Sequence, residues 1–179
     1  MTTVAATPSP AEVSSESVVR NPDLPGAGVF KGRAVRLEFE TVIDRPREEI
    51  FPFFADAHNL ERITPLILAF RVLTPAPIDM REDALIDYRL SLRGLPMKWR
   101  TRIAVWEPPV RFVDTQLKGP YRLWHHEHTF EPAGEGRTRC RDIVHYAHLG
   151  GPIIDAMLVR RDVKKIFAFR QQALAEIFG

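Results

Sequence analysis

The feature that most restricts how this chain can fold is its C-terminal segment. After Gly150-Gly-Pro152, roughly 26 residues run up to Gly179 without a glycine or a proline. Apolar residues recur there at α-helical spacing, while Arg161, Lys164 and Lys165 occupy the opposite side. This pattern predicts one long amphipathic helix, which needs an apolar surface to cover.

The middle of the chain supplies that surface as a series of strands. Apolar and polar residues alternate there with the period of two that is typical of half-buried strands. The predicted strands lie near residues 33–40, 86–92, 97–105, 110–117, 121–131 and 137–146. Short turns that contain glycine or proline separate several of them, so neighbouring strands should pair antiparallel.

Two short helices are expected after the first strand. Asp44-Arg-Pro-Arg-Glu-Glu offers an N-cap, a first-turn proline and early carboxylates, and Ile50, Phe53 and Phe54 give the helix an apolar face. Residues 56–62 can add another turn or two before Thr64-Pro65 ends it. Strands and helices are therefore segregated along the chain, which indicates an α+β domain.

Residues 1–32 differ from the rest in composition. Ser, Thr, Ala and Pro dominate, no hydrophobic period appears, and the sequence NPDLPG breaks any helix or strand. We predict a disordered N-terminal tail over residues 1–32 and one folded domain over residues 33–179. A basic start followed by an apolar stretch is missing, which argues against a secretory signal.

The bulk composition excludes several classes of protein. The formal net charge is +2, which gives no general attraction to nucleic acid or to anionic membranes. No stretch approaches the roughly 18 apolar residues of a membrane-spanning helix. The single cysteine, Cys140, fits a reducing compartment. We expect a cytoplasmic protein with no nucleic-acid partner and no stable insertion into a membrane.

The order of elements resembles the SRPBCC superfamily, the START-like or Bet v 1-like helix-grip proteins, which includes a polyketide cyclase/dehydrase group. The resemblance covers about residues 33–179 and lies in FFADAHNLERITP, WEPPVRFVD, GPYRLWHHEHTF, IFAFR, Asp142 and Tyr146. It implies a helix-grip fold, in which a curved antiparallel sheet of about seven strands wraps around the long C-terminal helix. It also implies a hydrophobic ligand cavity between sheet and helix, in a superfamily that holds both binders and enzymes.

The stretch LWHHEHTF, residues 123–130, holds three histidines. On a strand, His126 and His128 share one face with Trp124 and Phe130, whereas His125 and Glu127 point to the other, solvated face. If residues 132–136 form the hairpin loop, His128 faces Cys140 and His126 faces Asp142.

The pairing of His126 with Asp142 allows two interpretations. In the first, the carboxylate orients the imidazole on the cavity wall and raises its pKa, which makes the histidine a candidate catalytic acid or base. Alternatively, the two side chains only satisfy each other's hydrogen bonds in a partly polar core.

A metal site is the further alternative. His126 and His128 present two nitrogens on one face, and Asp142 can add an oxygen. No further carboxylate or thiol pattern completes the shell, and the family that the chain resembles is not generally metal-dependent. The sequence therefore predicts no metal and no other cofactor.

Arg170 falls in the middle of the apolar stripe of the predicted helix, where an unpaired guanidinium is costly. Its partner is an internal carboxylate such as Asp142, an acidic group on a ligand, or water reached past the sheet edge. The inward aromatics Tyr88, Trp99 and Tyr146 either line a pocket or pack the core.

Three functions remain open at this point. The first is a protein that binds a small, mostly apolar molecule (aromatic, polyketide-like, lipid or quinone). Its pocket residues are Tyr88, Trp99, Trp124, His126, His128, Asp142, Tyr146 and Arg170. The second is a cyclase/dehydrase-type enzyme that uses His126 and Asp142 as catalytic acid and base. The third is a module that holds a protein partner through an arginine-rich outer sheet face, including Arg100 and Arg102.

Overall fold

The structure is a computed structural model and describes residues 13–179. Eight strands form one antiparallel sheet, and two further strands form a small hairpin. The strands are β1 (Val13–Arg20), β2 (Asp23–Leu24), β3 (Gly28–Val29), β4 (Arg33–Ile43), β5 (Arg71–Val72), β6 (Leu85–Leu92), β7 (Leu95–Glu107), β8 (Arg111–Lys118), β9 (Leu123–Pro132) and β10 (Thr138–Ala147).

The order of strands in the large sheet is β1-β4-β10-β9-β8-β7-β6-β5. Strands β5 to β10 follow one another as antiparallel neighbours, and β10 closes back onto β4. Together with the long C-terminal helix, this confirms the α+β helix-grip fold. The seven strands from β4 onward match the predicted number, and β1 adds an eighth.

The helices follow the predicted order with small differences in their bounds. Helix α1 is Arg47–Ala55, and two short 3₁₀ helices span Ala57–Glu61 and Leu66–Leu68. The residue that precedes α1 is Pro46, so the prediction that Asp44 caps this helix is wrong. The φ angle of Pro46 is −68°, which its ring favours, so the helix can begin directly after it.

The C-terminal helix is continuous but not uniform. It consists of α2 (Gly151–Ile154), a π-helical turn (Asp155–Val159) and α3 (Arg160–Phe178). Val163, Phe167 and Leu174 are buried against the sheet, and the ring of Phe167 stacks on Phe39 of β4 with centroids 4.3 Å apart. The amphipathic pattern predicted this face, whereas nothing in it predicted the π-helical turn.

The predicted disorder of residues 1–32 is wrong for the part that the structure describes. Val13–Arg20 pairs along the edge of β4, and the β2–β3 hairpin buries Leu24 to 3% exposure. Pro25 and Gly26 hold the hairpin against the sheet through their carbonyl oxygens. The turn residues that break regular structure also make tight hairpins, and backbone pairing leaves little trace in a sequence pattern. Residues 1–12 lie outside the described part of the chain.

Within residues 13–179, no helix is long and apolar enough to cross a bilayer.

Candidate functional site

A cavity lies between the inner face of the sheet, helix α1 with the loops after it, and the C-terminal helix. Its volume is about 170 Å³, which is comparable to the roughly 150 Å³ cavity known to admit a benzene ring. Its walls are mostly apolar and aromatic. Tyr88, Trp99 and Trp124 line it from the strands, and Phe54 and Phe167 line it from the helices.

One end of the cavity is walled by aromatic rings. Trp99 and Trp124 meet edge to face with centroids 5.4 Å apart, and Tyr121 packs against both. The indole nitrogen of Trp99 donates a hydrogen bond to Thr101 Oγ1 over 3.0 Å, which fixes the orientation of this ring. These contacts give the cavity a rigid apolar end.

A polar cluster, defined here as Asp114, His126, His128, Asp142 and Arg170, interrupts the apolar wall. His126 Nε2 donates to Asp142 Oδ1 over 2.8 Å, and His128 Nδ1 lies 2.9 Å from the same oxygen. On their other edges, His126 Nδ1 and His128 Nε2 lie 3.4 Å and 3.3 Å from Asp114 Oδ2. Each imidazole is therefore held between two carboxylates.

Arg170 completes the polar cluster from the C-terminal helix. Its Nη1 donates to Asp142 Oδ1 over 2.9 Å, and its guanidinium lies over the ring of Phe167. Of the three partners considered for Arg170, the structure shows the internal carboxylate. With both aspartates ionised and Arg170 charged, one protonated histidine makes the polar cluster neutral, which reduces the cost of burying these charges.

The surroundings shift the pKa values of these groups in opposite directions. Burial alone would raise the pKa of Asp142, yet the charge of Arg170 and the hydrogen bonds from both histidines hold it well below its usual range. The pKa of Asp114 is likewise lowered against the effect of burial by hydrogen bonds from His126 and His128. Burial would lower the pKa of His126, but its bonds to Asp114 and Asp142 raise it.

Six of the eight predicted pocket residues line the cavity: Tyr88, Trp99, Trp124, His126, His128 and Arg170. The other two do not. Asp142 lies behind the two histidines and Arg170, away from the cavity surface. Tyr146 is fully buried, and its hydroxyl donates to Asp155 Oδ1 of the π-helical turn over 2.8 Å. Tyr146 therefore anchors the C-terminal helix to β10.

The predicted register of the β9–β10 hairpin is wrong by two residues. Asp142 lies opposite His128 rather than His126, and Val144 lies opposite His126. Pro132, which was assigned to the loop, is the last residue of β9 and faces Thr138, because a proline is tolerated at a strand end. The face on which each side chain lies is unchanged, because a shift of two residues preserves it.

Asp114 is the residue that the sequence interpretation missed. It lies on β8 directly opposite His126. Phe112 and Val113 are consecutive apolar residues, so alternation along β8 does not reveal which face Asp114 occupies. The signal that could have found it is the β8–β9 register, since antiparallel pairing brings Asp114 beside both histidines.

The outer face also differs from expectation. His125 is completely buried rather than solvated, because its Nε2 donates to Pro25 O in the β2–β3 hairpin. The outer arginines are paired within the chain: Arg100 makes two 2.8 Å hydrogen bonds to Asp87, and Arg102 donates to Asp83. The outer face is therefore not an uncompensated basic stripe.

These features define a helix-grip protein of the SRPBCC superfamily, with a partly polar cavity between its sheet and its long helix. Residues 43–172 match the family model described as "Polyketide cyclase / dehydrase and lipid transport". The match covers most of the chain, so the protein belongs to this family. No curated protein matches the sequence.

Solved structures share the fold at low sequence identity. Protein CV1439 from Chromobacterium violaceum is 15% identical, with a TM-score of 0.63 over 80% of this chain and 96% of that one. Ara h 8.0201 is 14% identical, with a TM-score of 0.60 over 81% and 97%. The Zhui aromatase/cyclase from Streptomyces sp. R1128 is 13% identical, with a TM-score of 0.59 over 80% and 96%. At these identities the likeness concerns the fold alone.

Proposed function

We propose that this protein binds a small, mostly apolar molecule in the cavity between its sheet and C-terminal helix. The observation that carries the proposal is the cavity itself, with aromatic rings at one end and Asp114, His126 and His128 on its wall. The ligand that fits this arrangement has a ring or a short apolar body and one polar oxygen. The family, whose description includes lipid transport, supports the same class of ligand.

The polar cluster is what distinguishes this cavity from a plain apolar pocket. A hydroxyl group of the ligand can donate to Asp114, or a carbonyl oxygen can accept from Arg170, while the apolar body rests against Trp99 and Trp124. An aromatic or polyketide-like molecule with a hydroxyl or carbonyl group satisfies both requirements. A purely hydrocarbon ligand would displace water from this charged wall without replacing its hydrogen bonds.

The test uses 2-naphthol, with naphthalene as the matched probe without the hydroxyl. Trp99 and Trp124 line the cavity, so binding should quench tryptophan fluorescence, and 2-naphthol should bind more tightly than naphthalene. Leu90→Trp places a large side chain in the cavity wall and should weaken binding at least tenfold. Leu85→Trp lies on the same strand, is 48% exposed and does not line the cavity, so it is the control.

Equal binding by the Leu90→Trp and Leu85→Trp variants would contradict the proposal. Native mass spectrometry of gently purified protein adds an independent measurement, since a co-purifying organic molecule would identify the natural ligand class. If the cavity holds this molecule, the protein should release it on unfolding, and the Leu90→Trp protein should not contain it.

A second candidate function is an enzyme of the cyclase/dehydrase kind. The observation that favours it is the position of His126, which lies on the cavity wall with Asp142 orienting its ring from behind. Turnover of a poly-β-ketone analogue by the wild-type protein, lost in His126→Gln at an unchanged melting temperature, would support this function. If the wild-type protein binds the analogue without converting it, the enzymatic function is excluded for this substrate and only the binding function is supported.

A further inference from the structure

We propose that Asp114, His126 and His128 form a binding site for one divalent first-row transition-metal ion. One donor atom from each residue lies within 4.8 Å of the others. The three residues come from two adjacent strands, so the sheet fixes their spacing without help from any loop. The sequence argued against a metal because no carboxylate or thiol beyond Asp142 completed the shell around the two histidines, and Asp114 is a carboxylate that the sequence pattern did not place there.

Two of the three distances between donor atoms in this trio match those of a metal site, and the third is no longer than 4.8 Å. Asp114 Oδ2 lies 3.4 Å from His126 Nδ1 and 3.3 Å from His128 Nε2. Ligands that bind a tetrahedral ion at about 2.0–2.1 Å are separated from one another by about 3.3–3.4 Å. The same distances are long for charge-assisted hydrogen bonds, which are usually about 2.7–2.9 Å. Asp114 and either histidine can therefore bind one ion with little movement, and the second histidine nitrogen lies within 4.8 Å of both.

Asp142 holds both imidazoles in the orientation that a metal site needs. It accepts from His126 Nε2 at 2.8 Å and lies 2.9 Å from His128 Nδ1, the nitrogens that face away from Asp114. A metal-binding histidine commonly donates its other ring N–H to a carboxylate, which fixes the tautomer and directs the free lone pair at the ion. Arg170 compensates the charge of Asp142 from the far side.

The site is open on the side where a further ligand would bind. Asp114, His126 and His128 all line the cavity, whereas Asp142 does not. The Asp114 side chain retains 19% exposure, and the two histidine side chains retain 6% and 5%. Three protein ligands with a fourth position facing a cavity is the arrangement of reactive rather than purely structural metal sites.

The donor set determines the class of ion. Two imidazoles and one carboxylate suit Zn²⁺ and Fe²⁺, whereas Mg²⁺ and Ca²⁺ prefer oxygen ligands alone. An ion at this position would take the lone pair of His126 Nδ1. While the metal is bound, His126 therefore cannot also act as the catalytic base of the second candidate function. Metal binding does not depend on the proposed organic ligand. Binding of the organic ligand can be measured separately, on protein from which a chelator has removed any metal.

The experiment titrates untagged, chelator-treated protein with Co²⁺, whose visible d–d absorption is intense in tetrahedral sites and weak in octahedral ones. We expect one Co²⁺ per chain with an intense tetrahedral spectrum, and its displacement by one equivalent of Zn²⁺. Asp114→Asn and His128→Gln should each weaken binding by more than about tenfold. Asp142→Asn removes a carboxylate that is not a ligand of the ion and should weaken binding by about 10–100-fold, measured on protein whose fold is confirmed by circular dichroism.

His58→Gln is the control for adventitious binding at the surface. His58 and Asp56 form a partly exposed pair outside the polar cluster, so the control should bind Co²⁺ as the wild type does. The proposal is overturned if wild-type protein shows no stoichiometric tetrahedral spectrum, a result that needs no variant to fold. It is also overturned if binding survives Asp114→Asn, with circular dichroism confirming the fold, or is lost in His58→Gln. Failure of 2-naphthol to bind would leave this result unaffected.

Discussion

His126 Nε2 donates a hydrogen bond to Asp142 Oδ1 over 2.8 Å, although the residue directly opposite His126 in the sheet is Val144. The contact runs diagonally from β9 to β10, and diagonal neighbours on one sheet face are within reach of a long side chain. Asp142 lies opposite His128 and accepts from Arg170 as well. One carboxylate therefore holds groups from β9 and from the C-terminal helix.

Replacing Asp142 by asparagine should destabilise the protein by about 3–5 kcal/mol, because it leaves the buried charge of Arg170 uncompensated. Arg170 is only 7% exposed, so water cannot replace the interaction with Asp142 that its guanidinium loses. Urea denaturation monitored by circular dichroism measures the change in the free energy of unfolding.

The matched control is Asp87→Asn, which removes the carboxylate of a half-exposed pair with Arg100. Pairs of that kind contribute about 0–1 kcal/mol. Equal costs for the two substitutions would show that Asp142 is not a buried counter-charge.

Which side chains face the cavity was predictable, whereas which residues oppose one another was not. Alternation along a strand depends only on the period of two, so Trp124, His126 and His128 were placed on the inner face correctly. The β9–β10 register depends on where the loop begins. Pro132 suggests the first loop residue, because proline often ends a strand, but it is the last residue of β9. Asp114 was missed because its position beside the histidines is a property of two strands together, which no single segment of sequence shows.

The docking of residues 13–29 was unpredictable for a similar reason. Only Leu24 contributes a fully buried apolar side chain, and the rest of the attachment is backbone pairing and carbonyl acceptors. Backbone groups are the same for every residue, so composition cannot reveal this attachment. The turn-forming residues of this segment therefore give the same composition signal as a disordered tail.

Gly26→Ala should loosen the β2–β3 hairpin from the sheet. Gly26 has a φ of +68°, and a Cβ atom there would lie 2.3 Å from the carbonyl oxygen of Ala104. The backbone of β7 cannot move aside, so the hairpin must shift and lose its bonds to His125 and Arg102. We expect faster limited proteolysis of the N-terminal segment and a loss of at least about 1–2 kcal/mol in the free energy of unfolding.

Gly28→Ala is the matched control, because it separates the clash of the added Cβ atom from the cost of a positive φ angle at a residue other than glycine. Gly28 has a nearly identical φ of +71°, but nothing lies within 4 Å of its added Cβ. Only the conformational cost of about 1 kcal/mol applies there. Equal proteolysis of the two variants would mean that the hairpin does not rest on Ala104.

Cys140 should be unreactive in the folded protein. Its side chain is buried on β10 beside Phe130 of β9, and burial, with a smaller contribution from the charge of Asp142, raises the pKa of the thiol to about 12. The thiolate is the reacting species, so both its scarcity and its burial slow the reaction. Ellman's reagent should label the native protein slowly and the protein in urea at once. Rapid labelling without denaturant would show that β10 opens readily.

His145 should make the protein less stable as the pH falls through the weakly acidic range. Burial, together with the positive charges of His125 on β9 and Arg36 on β4, lowers the pKa of His145 to about 4. Both residues lie directly opposite it on the neighbouring strands. Between about pH 6.5 and pH 4 the unfolded chain therefore binds a proton that the folded chain does not. The stability lost by this route is zero above that range. Below it, a shift of this size corresponds to about 3.4 kcal/mol, which solvent screening of this partly exposed side chain reduces to about 2–3 kcal/mol.

His145→Gln removes this titration and leaves the rest of the sheet in place. As the pH falls from 7 to 4, the wild type should therefore lose more unfolding free energy than the variant does. Thr129→Val is a control that cannot titrate; the Thr129 hydroxyl is buried and has no hydrogen-bond partner among residues 13–179. Its effect should be the same at every pH. Parallel stability curves for wild type and His145→Gln would mean that His145 is protonated as easily in the fold as in the unfolded chain.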